Sequence, residues 1–190
     1  ALDAALPLSL LRDGDSLSVT AFADSADVVQ PLGAVADDLL ARLASRTPRG
    51  ATDIGLGLTS ALRELVGAPE DDELLVILAT DSEDPHPARH EAQLRALATQ
   101  LAGRDGRALL VHIGAGSVET LKRLAGVLRP VFDVSVHRVS DAGPALRELV
   151  EGELLASRSD VRTGAFPVTV TPAGTARRLS APARVPVFAA

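Results

Sequence analysis

The chain has 190 residues, 46% of them hydrophobic, and a formal net charge of -6. That is enough for one domain with a sizeable core and a small appendage, while the mild acidity and the lack of any Lys/Arg cluster exclude a nucleic-acid surface. Cysteine is absent, which removes disulfides, thiol nucleophiles and zinc-thiolate sites.

Four Phe with no Trp or Tyr leave little for stacking on bases or sugars. No apolar run reaches the ~20 residues needed to span a bilayer, so no direct membrane insertion is expected. The opening ALDAALPLSLLRDGD lacks the charged start of a signal peptide. The abundance of Ala, Leu, Val, Arg and Asp suits a high-GC bacterial source. The absence of Met makes the chain read as a piece of a longer translation product.

In chain order, Leu2, Leu6, Leu10 and Leu11 have helical spacing, but Pro7 interrupts them, so Ala1 to Leu11 reads as the end of a helix. After the turn Arg12-Asp13-Gly14-Asp15, LSVTAF (Leu17 to Phe22) alternates as a strand. Asp24-Ser25 turns it into an antiparallel partner, Asp27 to Pro31. A helix is predicted over Ala34 to Ala44, and the loop TPRGATDIG leads into another from Gly55 to Val66.

Leu74 to Ala79 is an unbroken apolar run ending in Thr80-Asp81, as expected of a central parallel strand covered on both faces. A carboxylate there stands at the edge where open α/β sheets bind their ligands. Then follow a helix Arg89 to Leu101, a strand Arg107 to Ile113 and a helix Val118 to Leu128. Val131 to Val139 is a weaker strand because Asp133, Ser135 and His137 alternate in it. Asp141 caps a last helix, Gly143 to Ala156.

Strands alternating with helices predict a three-layer α/β/α open sheet, Rossmann-like and mostly parallel, with one antiparallel edge strand. SRSDVRTG after Ala156 reads as a linker, and the Pro-punctuated remainder as edge strands or extended segments. The expected division is therefore a domain over 1–156 and a linker with an extended tail over 157–190, the possible start of another domain.

GDSLSVTAFADSADVVQPL, TPRGATDIGLGL and LLVILATDSED, in this order and spacing, resemble motifs of the von Willebrand factor A family over roughly Ala1 to Ala156. The resemblance implies a protein-interaction module with a metal-ion-dependent adhesion site, in which oxygens from three loops hold a divalent cation. Matched position by position, Thr52 supplies the second loop and Asp81 the third. Mg²⁺, or Mn²⁺ or Ca²⁺, held there would capture an exposed Asp or Glu of a protein partner, since hard cations take oxygen ligands.

The first loop of that site, Asp-x-Ser-x-Ser, is nowhere in the chain. Asp13-Gly-Asp15-Ser16-Leu-Ser18 has the wrong spacing and precedes a strand instead of following one. The motif belongs to the family's first strand, in the middle of the sheet. An empty middle would cost roughly 1–3 kcal/mol for each unsatisfied group. The leading expectation is that this strand lies upstream of Ala1. The alternative is a rearranged order in which Phe166–Val170 or Val185–Phe188 fills the gap; the last is that the match is false. With the first loop missing, weak metal binding is expected.

Each residue also has a plainer reading. Thr52 suits an N-cap, with Asp53 adding favourable dipole charge, and Asp81 suits turn chemistry alone. Glu83 and Asp84 read as a solvated acidic loop capping the Arg89 helix. His86 and His90, four apart, would share a helix face as zinc ligands, but Pro85 and Pro87 keep His86 outside the helix and no third ligand accompanies them. His112 and His137 read as structural.

Gly114-Ala-Gly116-Ser117 invites a phosphate cradle. Glu119 stands where a third glycine belongs, so a tight strand-to-helix turn is the better reading. A metal-independent scaffold of a larger assembly is the competing function. A Rossmann-like phosphate or nucleotide enzyme using Asp81 is weaker, with no glycine-rich phosphate loop and a single lysine, Lys122.

Overall fold

A computed structural model of the chain describes residues 8–46, 50–163 and 183–189. After a short 3-10 turn at Leu8–Leu10, the elements run β1 (Ser16–Phe22), β2 (Ala26–Gly33), α1 (Leu39–Ala44) and α2 (Ile54–Val66). Then come β3 (Leu74–Thr80), α3 (Glu91–Gln100), β4 (Gly106–Ile113), α4 (Glu119–Leu128), β5 (Asp133–Val139), α5 (Pro144–Thr163) and β6 (Ala183–Ala189).

The strands form one sheet in the order β2-β1-β6-β3-β4-β5. β2 pairs with β1 antiparallel, and every other pairing is parallel. Mixed α/β architecture with a single antiparallel edge strand is therefore what the chain adopts.

β3 explains the layering. All seven of its residues are buried, and alternate side chains leave opposite faces of a strand. Leu74, Val76 and Leu78 pack with Leu58 and Leu62 of α2, Leu94 of α3 and Leu124 of α4. Leu75, Ile77 and Ala79 pack with Leu39 and Leu43 of α1 and with Leu146, Val150 and Leu154 of α5. A fully buried aliphatic side chain contributes roughly 1.5–3 kcal/mol, so β3 is the strand this fold is least able to lose. β5, at the far edge, is mostly half-buried, in keeping with its alternating Asp133, Ser135 and His137.

α2 lies unusually close to β1. A Cβ at Gly57 would stand 2.4 Å from Cγ of Phe22, so the helix seats against that ring only because residue 57 has none. α1 starts at Leu39 instead of Ala34 because the Gln30 side chain claims the backbone before it. Its Oε1 accepts from the Ala36 N–H at 3.0 Å and its Nε2 donates to the Ala34 carbonyl at 3.2 Å. α5 continues to Thr163, so most of the stretch read as a linker is helical in its backbone.

The middle of the sheet is filled. Ala183–Ala189 lies between β1 and β3, which is the rearranged order, with Val185–Phe188 inside the strand. Phe166–Val170, the other segment considered, lies outside the described residues, as does the start of the predicted first helix. Pro186 thus stands in a central strand, opposite Ile77, and not at an edge as the usual preference of proline implies. The ladder accommodates it with a gap: β1–β6 pairs stop at Leu17 with Arg184 and resume at Thr20 with Val187.

Candidate functional site

Three loops meet at the carboxyl edge of the sheet: the β1–β2 turn, the loop into α2, and the loop after β3. The first two are held by backbone. Gly50 has φ +73, and a Cβ on it would lie 2.1 Å from Oδ2 of Asp24, so the loop rests directly on that side chain. The Asp53 N–H then donates to the Ala23 carbonyl at 2.8 Å.

Asp53, not Thr52, is the N-cap of α2. Its Oδ1 accepts from the Leu56 N–H at 2.8 Å, the capping geometry of a short acidic side chain. Its Oδ2 lies 3.0 Å from Nε2 of His90 and 3.7 Å from the Arg89 guanidinium. His90 is thereby committed to a carboxylate, and His86 is exposed beyond it, so the pair does not form a zinc site.

Asp84 is buried and ties the third loop to the second. Its Oδ2 accepts from the Ile54 N–H at 3.0 Å and the Gly55 N–H at 3.4 Å, and its Oδ1 from the His86 N–H at 2.6 Å. A negative charge on the first-turn donors of a helix is favourable on both hydrogen-bonding and dipole grounds. This corrects the reading of Glu83 and Asp84 as a solvated loop capping the following helix: Asp84 caps α2 instead. Glu83 is exposed and accepts from the Ser117 N–H at 3.1 Å, which pins the turn into α4.

That turn is the tight one expected. Gly114 has φ +90 and its N–H donates to the Val139 carbonyl at 2.8 Å. Gly116 closes over His112, and a Cβ there would lie 2.3 Å from Nε2 of the ring. His112 is 1% exposed and pairs in register with Thr80, and among the described residues neither ring nitrogen has a hydrogen-bond partner. A carboxylate already occupies the amino end of this turn, so nothing there favours a phosphate.

Thr52 and Asp81 are thus on loops that Asp53 and Asp84 hold together. Thr52 is half-buried and Asp81 exposed, with its Oδ1 accepting from the Ser82 hydroxyl at 2.9 Å. Mg²⁺ requires near-octahedral oxygen ligation. Thr52 and Asp81 together offer one hydroxyl and one carboxylate, while the neighbouring Asp53 and Asp84 are spent on helix N–H groups. Among the described residues, no group of three or more His, Cys, Asp or Glu is placed to hold a metal. The donor set does not fit a complete cation site.

Asp15 cannot complete it. It lies at the amino end of β1, where its Oδ2 accepts from the Arg12 N–H at 2.9 Å. A cavity of about 630 Å³ opens beside α3, lined by His86, Pro87, Ala88, Arg89 and Arg123. Arg123 is bound to Glu91 at 2.6 Å, which holds the Glu91 carboxyl below its ordinary range. The Arg89 side chain is 65% exposed. The roles of Asp84 and His90 were not visible in the sequence, because each acts on the start of a helix at least 29 residues away in the chain.

No family model and no curated protein matches the sequence. Among solved structures, the chain is similar to the SpRpn10 VWA domain, known from a crystal structure. The TM-score is 0.53 at 17% identity, over 74% of this chain and 73% of that one. The fold is of the von Willebrand factor A type. Among the described residues, no helix is long and apolar enough to cross a membrane.

Proposed function

We propose that the chain is a protein-interaction module, not an enzyme, that docks a partner bearing an exposed Asp or Glu at the carboxyl edge of its sheet. The observation that supports this is the stapling of three loops by Asp53 and Asp84, which leaves Thr52 and Asp81 on a fixed platform. Fixed recognition loops cost less to order on binding.

Two modes of capture remain distinct. In the first, Thr52 and Asp81 hold Mg²⁺, or Mn²⁺ or Ca²⁺, and the cation accepts the partner's carboxylate. With only two of the oxygens such a cation needs, it would be held weakly. The second mode is metal-independent and is favoured by the exposed Arg89 beside the cavity, since a guanidinium matches a carboxylate with two parallel hydrogen bonds.

A glutamate-rich peptide titrated against the chain separates them. The metal-independent mode predicts binding that survives EDTA, is weakened at least about tenfold by Arg89→Ala (one charge-assisted bond,) and is unmoved by Asp81→Ala. Binding lost on chelation and in Asp81→Ala would establish the cation mode instead. A peptide that does not bind at all would refute the acidic-partner reading.

A further inference from the structure

The sheet has an unusual dependence on its last strand. Among the described residues, β1 and β3 do not pair with each other, and β6 alone joins β2-β1 to β3-β4-β5. β3 is buried along its whole length, so the slot beside it must be filled by something with a backbone to offer.

The occupant fits imperfectly. Pro186 has no N–H to donate, and the ladder to β1 omits Ser18 and Val19. The Ser18 hydroxyl turns away to the Gln30 carbonyl, 3.0 Å distant. β6 is therefore required by position yet held by fewer bonds than the slot can make. Nineteen residues, 164–182, separate it from α5 in the sequence, and the greatest length a chain of that many residues can have is roughly 65 Å at 3.3–3.6 Å per residue. A globule of this length has a radius of gyration of roughly 16 Å, so that many residues suffice to reach a neighbouring molecule.

We propose that Ala183–Ala189 is an exchangeable strand: two copies of the chain trade it, each completing the other's sheet between β1 and β3. Identical register partners await it in either copy, which is the condition for domain swapping. The exchanged strand ends at Ala189, opposite Phe22 and one residue from the Ala23 carbonyl that holds Asp53. The edge carrying Thr52 and Asp81 would then be built from two chains. This proposal does not depend on the acidic-partner reading.

The absence of cysteine makes the test clean. Val76 and Val185 are register partners, and neighbouring strands lie within disulfide range at roughly 4.7–4.9 Å. Val76 is fully buried, so a cysteine there meets another only through the slot. The double variant Val76→Cys/Val185→Cys in the full chain should close a disulfide within one chain when oxidised dilute. Equimolar Val76→Cys and Val185→Cys single variants, mixed and concentrated before oxidation, should give a cross-linked dimer whose yield rises with protein concentration. Closure in the double variant with no dimer from the mixture would overturn the proposal. So would failure of both, since β6 would then not occupy the slot.

Discussion

Asp84→Ala should destabilise the chain more than any substitution of an exposed carboxylate around it. The side chain is 7% exposed and receives three N–H donors, two of them from the first turn of α2. Leaving buried donors unsatisfied costs about 1–3 kcal/mol. Losing the charge at a partly buried helix terminus adds about 1–2 kcal/mol. The expected total is about 3 kcal/mol, or about 6–12 °C in melting temperature at this chain length.

Urea unfolding followed by far-UV circular dichroism reads this directly: the midpoint should fall with the slope unchanged. Asp84→Asn retains an acceptor and loses the charge, so it should cost about half as much. An unfolding free energy for Asp84→Ala within about 0.5 kcal/mol of the parent, or an Asn variant as damaging as the Ala one, would refute the capping argument.

Gly57→Ala drives a methyl group to 2.4 Å from the Phe22 ring and should cost about 1–3 kcal/mol, part of it restored by adding Phe22→Leu. An unchanged melting temperature for the single variant would show that α2 is free to lift. Acid should also destabilise the fold. The Asp141 carboxyl is held below its ordinary 3.8 by the Ser140 hydroxyl and the Gly143 N–H, and Glu91 below 4.5 by Arg123. Depressed carboxyl values stabilise the native state above the unfolded-state values, and that contribution is lost as pH falls through the lowered ones. Asp72, pushed up chiefly by burial, works in the opposite direction. Melting temperature should therefore hold steady from neutral pH downward and begin to fall below about pH 4.5, near the ordinary Glu value, with a shallower fall in Asp141→Asn/Glu91→Gln; an identical slope in that variant would rule these groups out.

Much of the architecture was legible because it is periodic. The unbroken run Leu74 to Ala79 identified the central strand, and the polar alternation of Asp133, Ser135 and His137 marked β5 as weaker. Local pattern says nothing about which distant strand a segment joins, and so the place of ARVPVFA stayed open. Its proline argued for an edge, while the slot between β1 and β3 claimed it for the middle. The site was legible in its two loop motifs and illegible in its fastenings. Thr52 and Asp53 both suited a cap, and only geometry selects Asp53. Asp84 looked solvated because the N–H groups it serves lie 29 and 30 positions earlier in the chain.

The sheet order also has a consequence for synthesis. β3 is complete at Thr80, but its neighbour on one side does not exist until Ala189 has been made. At the roughly 5–20 residues per second of translation, the interval is on the order of 5–20 s. Throughout it, the nascent chain carries two apolar strands with open inner edges. Such edges are templates for pairing with other chains, and late, non-local closure is intrinsically slow. A ribosome-bound chain halted before residue 183 should therefore recruit chaperones that a chain carrying β6 clear of the exit tunnel does not.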